Sequence, residues 1–191
     1  MDVAKAFIQA NKDLLPVILK IKDDQWNLPA PPKTSWKPNQ TLRNLVNYHA
    51  YDDAWVPDVL AGKTAAEVGD QFESLLDATD TLAQYIKFNK IAVDAVAEFS
   101  DFDRKVHLSY GDFTAQEYLT HVTLFRGLRT YDFAKFLGFV PELSPLLVQG
   151  LWDIISPKIA ELRAMHVIGE EVPVAEDAPL LDRLMAMTGR K

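Results

Sequence analysis

The sequence predicts an all-α domain in which helices pack on helices around one core. Three observations carry that reading. Apolar residues recur at helical spacing through four long stretches and a fifth, helix-start patterns stand where several of these stretches begin, and nothing alternates strand with helix as a parallel sheet would require. With 191 residues, 48% hydrophobic and 25% charged, the chain can close a substantial core without covalent staples, and residues 1–191 are expected to form a single domain.

In the first stretch Val3, Phe7, Leu14, Ile18 and Ile21 share one face, with Pro16 as an expected kink. Residues 23–40 carry Pro29, Pro31, Pro32 and Pro38 with Trp26 and Trp36, a composition that excludes helix and predicts an ordered crossing loop held by its aromatics. Thr41 to Leu60 presents Leu42, Leu45, Val46, Val56 and Leu60 on one stripe ended by Gly62, which makes the second helix. Asp70 and Glu73 have the spacing of a capping box and are expected to open a long third helix through Leu75, Leu82, Ile86, Val93 and Ala97 to about Phe99. Val106 to Tyr110 followed by Gly111-Asp112 predicts a short extended segment and turn, too short to define a sheet. Thr114 and Glu117 form a second capping box, opening a fourth helix through Tyr118, Val122, Phe125, Phe133 and Phe136 that stops at Gly138. Ser144-Pro145 starts a fifth helix through Leu147, Leu151, Ile155, Ile159 and Leu162, and a polar tail with a short Leu181 to Met187 segment closes the sequence.

Composition narrows the chemistry. The absence of cysteine excludes disulfides, thiolate metal sites and a cysteine nucleophile. A net charge of −7 argues against nucleic acid and anionic membranes, which draw on clustered Lys and Arg, and leaves a small molecule or another protein as the expected partner. No apolar run is long enough to suggest a membrane span and MDVAKAFIQANKD lacks the pattern of a secretory signal, so a cytoplasmic location is expected.

Polar residues that interrupt the apolar stripes are the informative ones, because burying an unpaired charge is costly. On the second helix His49 and Asp53 fall one turn apart near the line of Leu42 and are expected to face inward, whereas Asp52 falls off that line and reads as a rim or solvated carboxylate. Pro57 cannot donate to the Asp53 carbonyl. On the fourth helix Arg129 projects between Tyr118, Val122, Phe125 and Phe136, with Asp132 at the stripe edge. One reading is a buried Asp53–Arg129 ion pair completed by His49 and Asp132, fixing the register of two helices. The other places Arg129 at the floor of a pocket as a cation for a carboxylate or phosphate, with His49 as proton donor or acceptor and Trp55 beside it. His121 reads as a core or rim histidine, His107 as a loop residue able to border the pocket mouth, and His166 as a helix-end residue.

The stretch TLRNLVNYHAYDDAWVPDVLAGK, residues 41–63, resembles the second helix of the DinB-like metal-binding proteins, especially the N-terminal domain of mycothiol-dependent maleylpyruvate isomerase and its actinobacterial relatives. RKVHLSYGDFTAQEYL, YDFAKFLG and EEVPVAEDAPLLDRLMAMTGR are similar to corresponding stretches of that group, so the likeness covers most of the chain. It implies a DinB-like four-helix bundle with an additional C-terminal helix and tail. It also implies a cofactor, a divalent metal, zinc or nickel, held by a histidine of the second helix and by an acid and a histidine four residues apart on a later helix. His49 stands at the first ligand position, but the later pair falls on Phe125 and Arg129, so two of the three expected metal ligands are absent. One remaining imidazole should not retain zinc unless Asp53 and a reoriented His121 rebuild the site. A guanidinium where the metal would sit supplies positive charge without ligands, and Asp53 can balance it.

Three functions are therefore expected in turn. The first is a DinB-like protein with a degenerate metal site that binds a small anionic metabolite or serves a structural role. The second is an active metal- or thiol-dependent isomerase or transferase working with a low-molecular-weight thiol. In either, His49 and Arg129 are the catalytic candidates, and Asp53, Trp55, Phe125 and Asp132 are the substrate-binding ones. The third is a homodimeric interaction module using the loop from Trp26 to Pro38 or the tail.

Overall fold

The computed structural model describes residues 2–31, 34 and 37–191. It is mostly helical, with α1 (Val3–Ile18), α2 (Leu42–Leu60), α3 (Ala65–Val68), α4 (Thr81–Glu98), α5 (Ala115–Phe136), α6 (Pro145–Ile155), α7 (Ile159–Ala164) and α8 (Leu180–Met187). A small hairpin, β1 (Lys105–Leu108) and β2 (Gly111–Thr114), precedes α5. The most extensive helix contacts are α2 on α4 and α1 on α5, with α1 also against α4.

Local chemistry sets most boundaries. Thr41 caps α2 and exchanges hydrogen bonds with Asn44, and Thr114 caps α5 reciprocally with Glu117 as the spacing predicts. The crossing loop packs back on the α2 start: Leu42 and Arg43 donate backbone N–H groups to the Leu28 and Trp26 carbonyls, so two first-turn donors that a helix cannot satisfy itself find partners. Trp26 is buried there; Trp36, the other aromatic expected to hold this loop, and Pro32 lie outside the described residues. Gly138 ends α5 at φ +81°.

Three expectations are corrected. Asp70 and Glu73 do not open the third long helix, which starts at Thr81 after a 3₁₀ turn at Glu73–Asp77. Side chains of α2 hold the intervening backbone open: Asn47 donates to the Leu76 and Ala78 carbonyls at 3.2 and 2.9 Å, and Arg43 to the Thr79 carbonyl at 2.8 Å. The extended segment does pair, giving a two-stranded antiparallel ladder from Lys105 opposite Thr114 to Leu108 opposite Gly111. The fifth helix is not continuous, because Pro157, which has no N–H to donate, lies in a 3₁₀ turn at Ser156–Lys158 between α6 and α7.

The core runs the length of the long helices. One end gathers Leu14, Ile18, Leu42, Leu45, Tyr85 and Phe133. The other gathers Phe7, Val56, Leu60, Val96, Val106 and Leu119. A third cluster seats α6 and α8 against α5 through Leu128, Leu147, Leu151, Leu184 and Met185. Helix α5 is therefore covered on several sides. At Gly127 a Cβ would stand 2.6 Å from a Leu151 methyl, so a residue without a side chain is what lets α6 approach. Gly127→Ala is expected to lower unfolding stability by about 1–3 kcal/mol in urea denaturation, and Leu151→Val in the same chain to recover part of the loss; a neutral Gly127→Ala would refute this packing.

Candidate functional site

At the centre of the helices lies a closed polar network. Asp53 of α2 and Arg126 of α5, both without solvent exposure, form an ion pair through one guanidinium nitrogen. The Arg126 Nε donates to Asn11 Oδ1 of α1 at 3.1 Å, and Asn89 Nδ2 of α4 donates to the same oxygen at 2.7 Å. Asn11 Nδ2 donates in turn to the Phe7 carbonyl, and the Arg126 guanidinium lies 5.3 Å from the Phe7 ring centre. Side chains from all four long helices thus converge on one cation. The expected Asp53–Arg129 pair is corrected to Asp53–Arg126, and Asp132 belongs to neither: Arg190 holds it bidentately at 2.8 and 3.0 Å, tying the C-terminus to α5.

His49 and Arg129 do face inward, 1% and 4% exposed. They meet through aromatic rings. The His49 ring lies 5.5 Å from Phe125 and 6.1 Å edge-on to Phe133, and the Arg129 guanidinium lies over the same two rings at 4.8 and 5.5 Å. Burial first, then the Arg129 and Arg126 charges, hold the imidazole well below its ordinary pKa, so it is neutral. Burial also lowers the Arg129 guanidinium, to about 10.

These surroundings do not fit the metal that the family resemblance implies. Among the described residues no three His, Asp or Glu side chains cluster at metal-binding range. The rings packed on His49 are those of Phe125 and Phe133, and the charges acting on it are those of Arg129 and Arg126, so a divalent ion there would meet like charge.

An open site lies on the other side of α2. A cleft of about 460 Å³ is lined by Tyr48, Tyr51, Asp52, Trp55 and Val59 of α2, Leu108 to Tyr110 at the hairpin turn, and Tyr118, His121, Val122, Phe125 and the buried Arg126 of α5. That volume suits a small organic ligand. Along α2 the rings of Tyr48, Tyr51 and Trp55 follow one another at 6.0 Å between centres. Opposite, the Tyr110 hydroxyl meets His121 Nδ1 at 3.4 Å and Phe113 packs edge-on to His121. His107, also on the wall, is held to Asp112 at 2.7 Å.

Asp52 is the carboxyl that α2 turns into this cleft. Burial pushes its carboxyl up to about 7, with Asp53 adding to the rise and Arg126 and Arg129 opposing it. His121 is lowered, mainly by burial. Asp52, off the Leu42 line as expected, is half-buried on the cleft wall, because Tyr48, Asp52, Trp55 and Val59 form a second stripe at i, i+4, i+7 and i+11 that faces the hairpin and α5. Of the candidates read from sequence, Trp55 and Phe125 line the cleft; His49, Asp53 and Arg129 stand behind it, and Asp132 is remote. The residues missed are Asp52 and Arg126. Arg126 belongs to the stripe Leu119, Thr123, Arg126, Thr130 and Phe133, every member buried, which a single-stripe projection of α5 passes over.

Compared with family models, with curated proteins and with solved structures, the chain matches none.

Two expectations follow from this geometry. Asp53→Asn leaves a buried guanidinium without its counter-charge and should cost roughly 3–5 kcal/mol, whereas Asp53→Leu with Arg126→Met should regain most of that; equal losses in urea melts of the single and double variants would contradict the pairing. The Asp52 carboxyl keeps its proton in the folded state after the unfolded chain has released it, so its contribution to stability falls as pH rises from about 4 to about 7. Asp52→Asn should therefore gain stability over the natural chain at pH 8, by up to a few kcal/mol, and gain none at pH 4.

Proposed function

We propose that the chain is a DinB-like helical bundle whose metal centre has given way to an internal guanidinium–carboxylate network, and that it binds a small organic molecule in the aromatic cleft between α2, α5 and the hairpin. The observation that carries the reading is the pairing of the two sides of α2: Asp53 is consumed by Arg126 in the core, while Asp52, one residue earlier, stands with a near-neutral pKa in a ring-lined cleft. Loss of the metal is supported by the neighbours of His49, which supply no second ligand. An anion held by Arg129 loses its geometric basis, because Arg129 lies under Phe125 and Phe133 and is not part of the cleft wall.

A catalytic role has one observation in its favour. A carboxyl titrating near 7 suits general acid or base chemistry at physiological pH, and His121 faces the same cleft as a neutral imidazole. Under that reading Asp52 and His121 take the acid and base roles that the sequence reading gives to His49 and Arg129.

Elemental analysis of protein purified without a chelating tag is expected to find zinc and nickel far below one equivalent. Near-stoichiometric metal that disappears in His49→Ala would overturn the altered centre. In a fragment titration followed by NMR, the first resonances to move should be those of Trp55, Tyr118 and His121; shifts confined to other surfaces would remove the cleft as the ligand site.

A further inference from the structure

Six aromatic side chains, Tyr48, Tyr51, Trp55, Tyr110, Tyr118 and Phe125, line the cleft together with a single carboxyl, that of Asp52. Four of the phenols sense it directly: its charge opposes ionisation of Tyr48, Tyr51, Tyr110 and Tyr118, which places all four within electrostatic reach. Ring faces are electron-rich and a carboxylate is negative, so both elements of the wall favour a positive guest.

The cationic groups nearby are otherwise engaged. From α5, Arg126 lines the cleft and acts on Asp52 through its charge but is hydrogen-bonded to Asp53 and Asn11, and Arg129, whose charge also reaches Asp52, is packed over Phe125 and Phe133. From the hairpin, His107 is bound to Asp112. His121, also of α5, is held toward its neutral form. On α2 itself Asp53 balances Arg126, leaving Asp52 as the wall's carboxyl without an ion-pair partner of its own. An anionic ligand entering here would meet a carboxylate and ring faces, with each of these cations already committed.

Resting on the reading of this cleft as a ligand site, we propose that it recognises a protonated or quaternary ammonium group, seated against Asp52 and enclosed by the tyrosine and tryptophan rings, on a ligand of small organic size. The ammonium takes the place of the proton on Asp52, so binding releases that proton at neutral and lower pH, and affinity climbs as pH rises toward 8. The rings also shed water from the charged pair, which strengthens it relative to an exposed one.

The test uses the full chain and three probes of nearly one shape: choline, its neutral isostere 3,3-dimethylbutan-1-ol, and the anion 3,3-dimethylbutanoate, each titrated by NMR with tryptophan fluorescence as a second readout. Choline is expected to bind at least about tenfold more tightly than the neutral alcohol at pH 8, a preference worth about 1.4 kcal/mol, and that margin should shrink at pH 5.5. Asp52→Asn should abolish the preference while leaving binding of the alcohol in place, which also reports that the variant is folded. Equal affinity for choline and the alcohol, or preference for the anion, overturns the ammonium assignment and leaves a small-molecule cleft standing. If none of the three moves the cleft resonances, in the natural chain or in Asp52→Asn, both the ammonium assignment and the ligand-site reading fall.

Discussion

A guanidinium with no access to water constrains everything else in this molecule. Arg126 cannot shed its charge, and burying it without a counter-charge costs several kcal/mol. The chain answers with Asp53 from α2, Asn11 from α1 and, through Asn11, Asn89 from α4. The partners must arrive at particular heights, because hydrogen bonds tolerate only a few tenths of an ångström. Apolar packing alone allows four helices to slide; this network sets their register, and with it the position of each residue facing the cleft.

The consequence for the site follows from helix geometry. Successive residues of a helix point about 100° apart, so once Asp53 is committed to the core, Asp52 must point sideways. On an isolated helix that side would be solvated, but the hairpin turn and the first half of α5 close over it. Two adjacent carboxylates thereby acquire opposite characters, one neutralised by a buried cation and one held near its midpoint at physiological pH. Phe125 divides the two territories: one side packs on His49 and Arg129, and it also forms part of the cleft wall.

Much of the fold was legible because it rests on local rules. The capping residues Thr41 and Thr114, the stop at Gly138, the Pro-rich crossing and the short helix near the C-terminus all depend on neighbours within a few residues. The start of α4 was not legible, since the side chains of Asn47 and Arg43 that hold residues 76–79 out of helix lie some thirty or more positions away. The hairpin likewise had a visible extended segment, but whether it pairs is decided by its seat against α2 and α5.

By itself the sequence determined the helical class, most element boundaries and the inward direction of His49, Asp53 and Arg129, because periodicity and side-chain chemistry are local properties. Which cation meets Asp53, and which face of α2 becomes a cleft, only the tertiary structure decided. Helix α5 is buried on several sides, so no single stripe identifies its partner-bearing face, and whether Asp52 meets water depends on segments folding over it from more than fifty residues away.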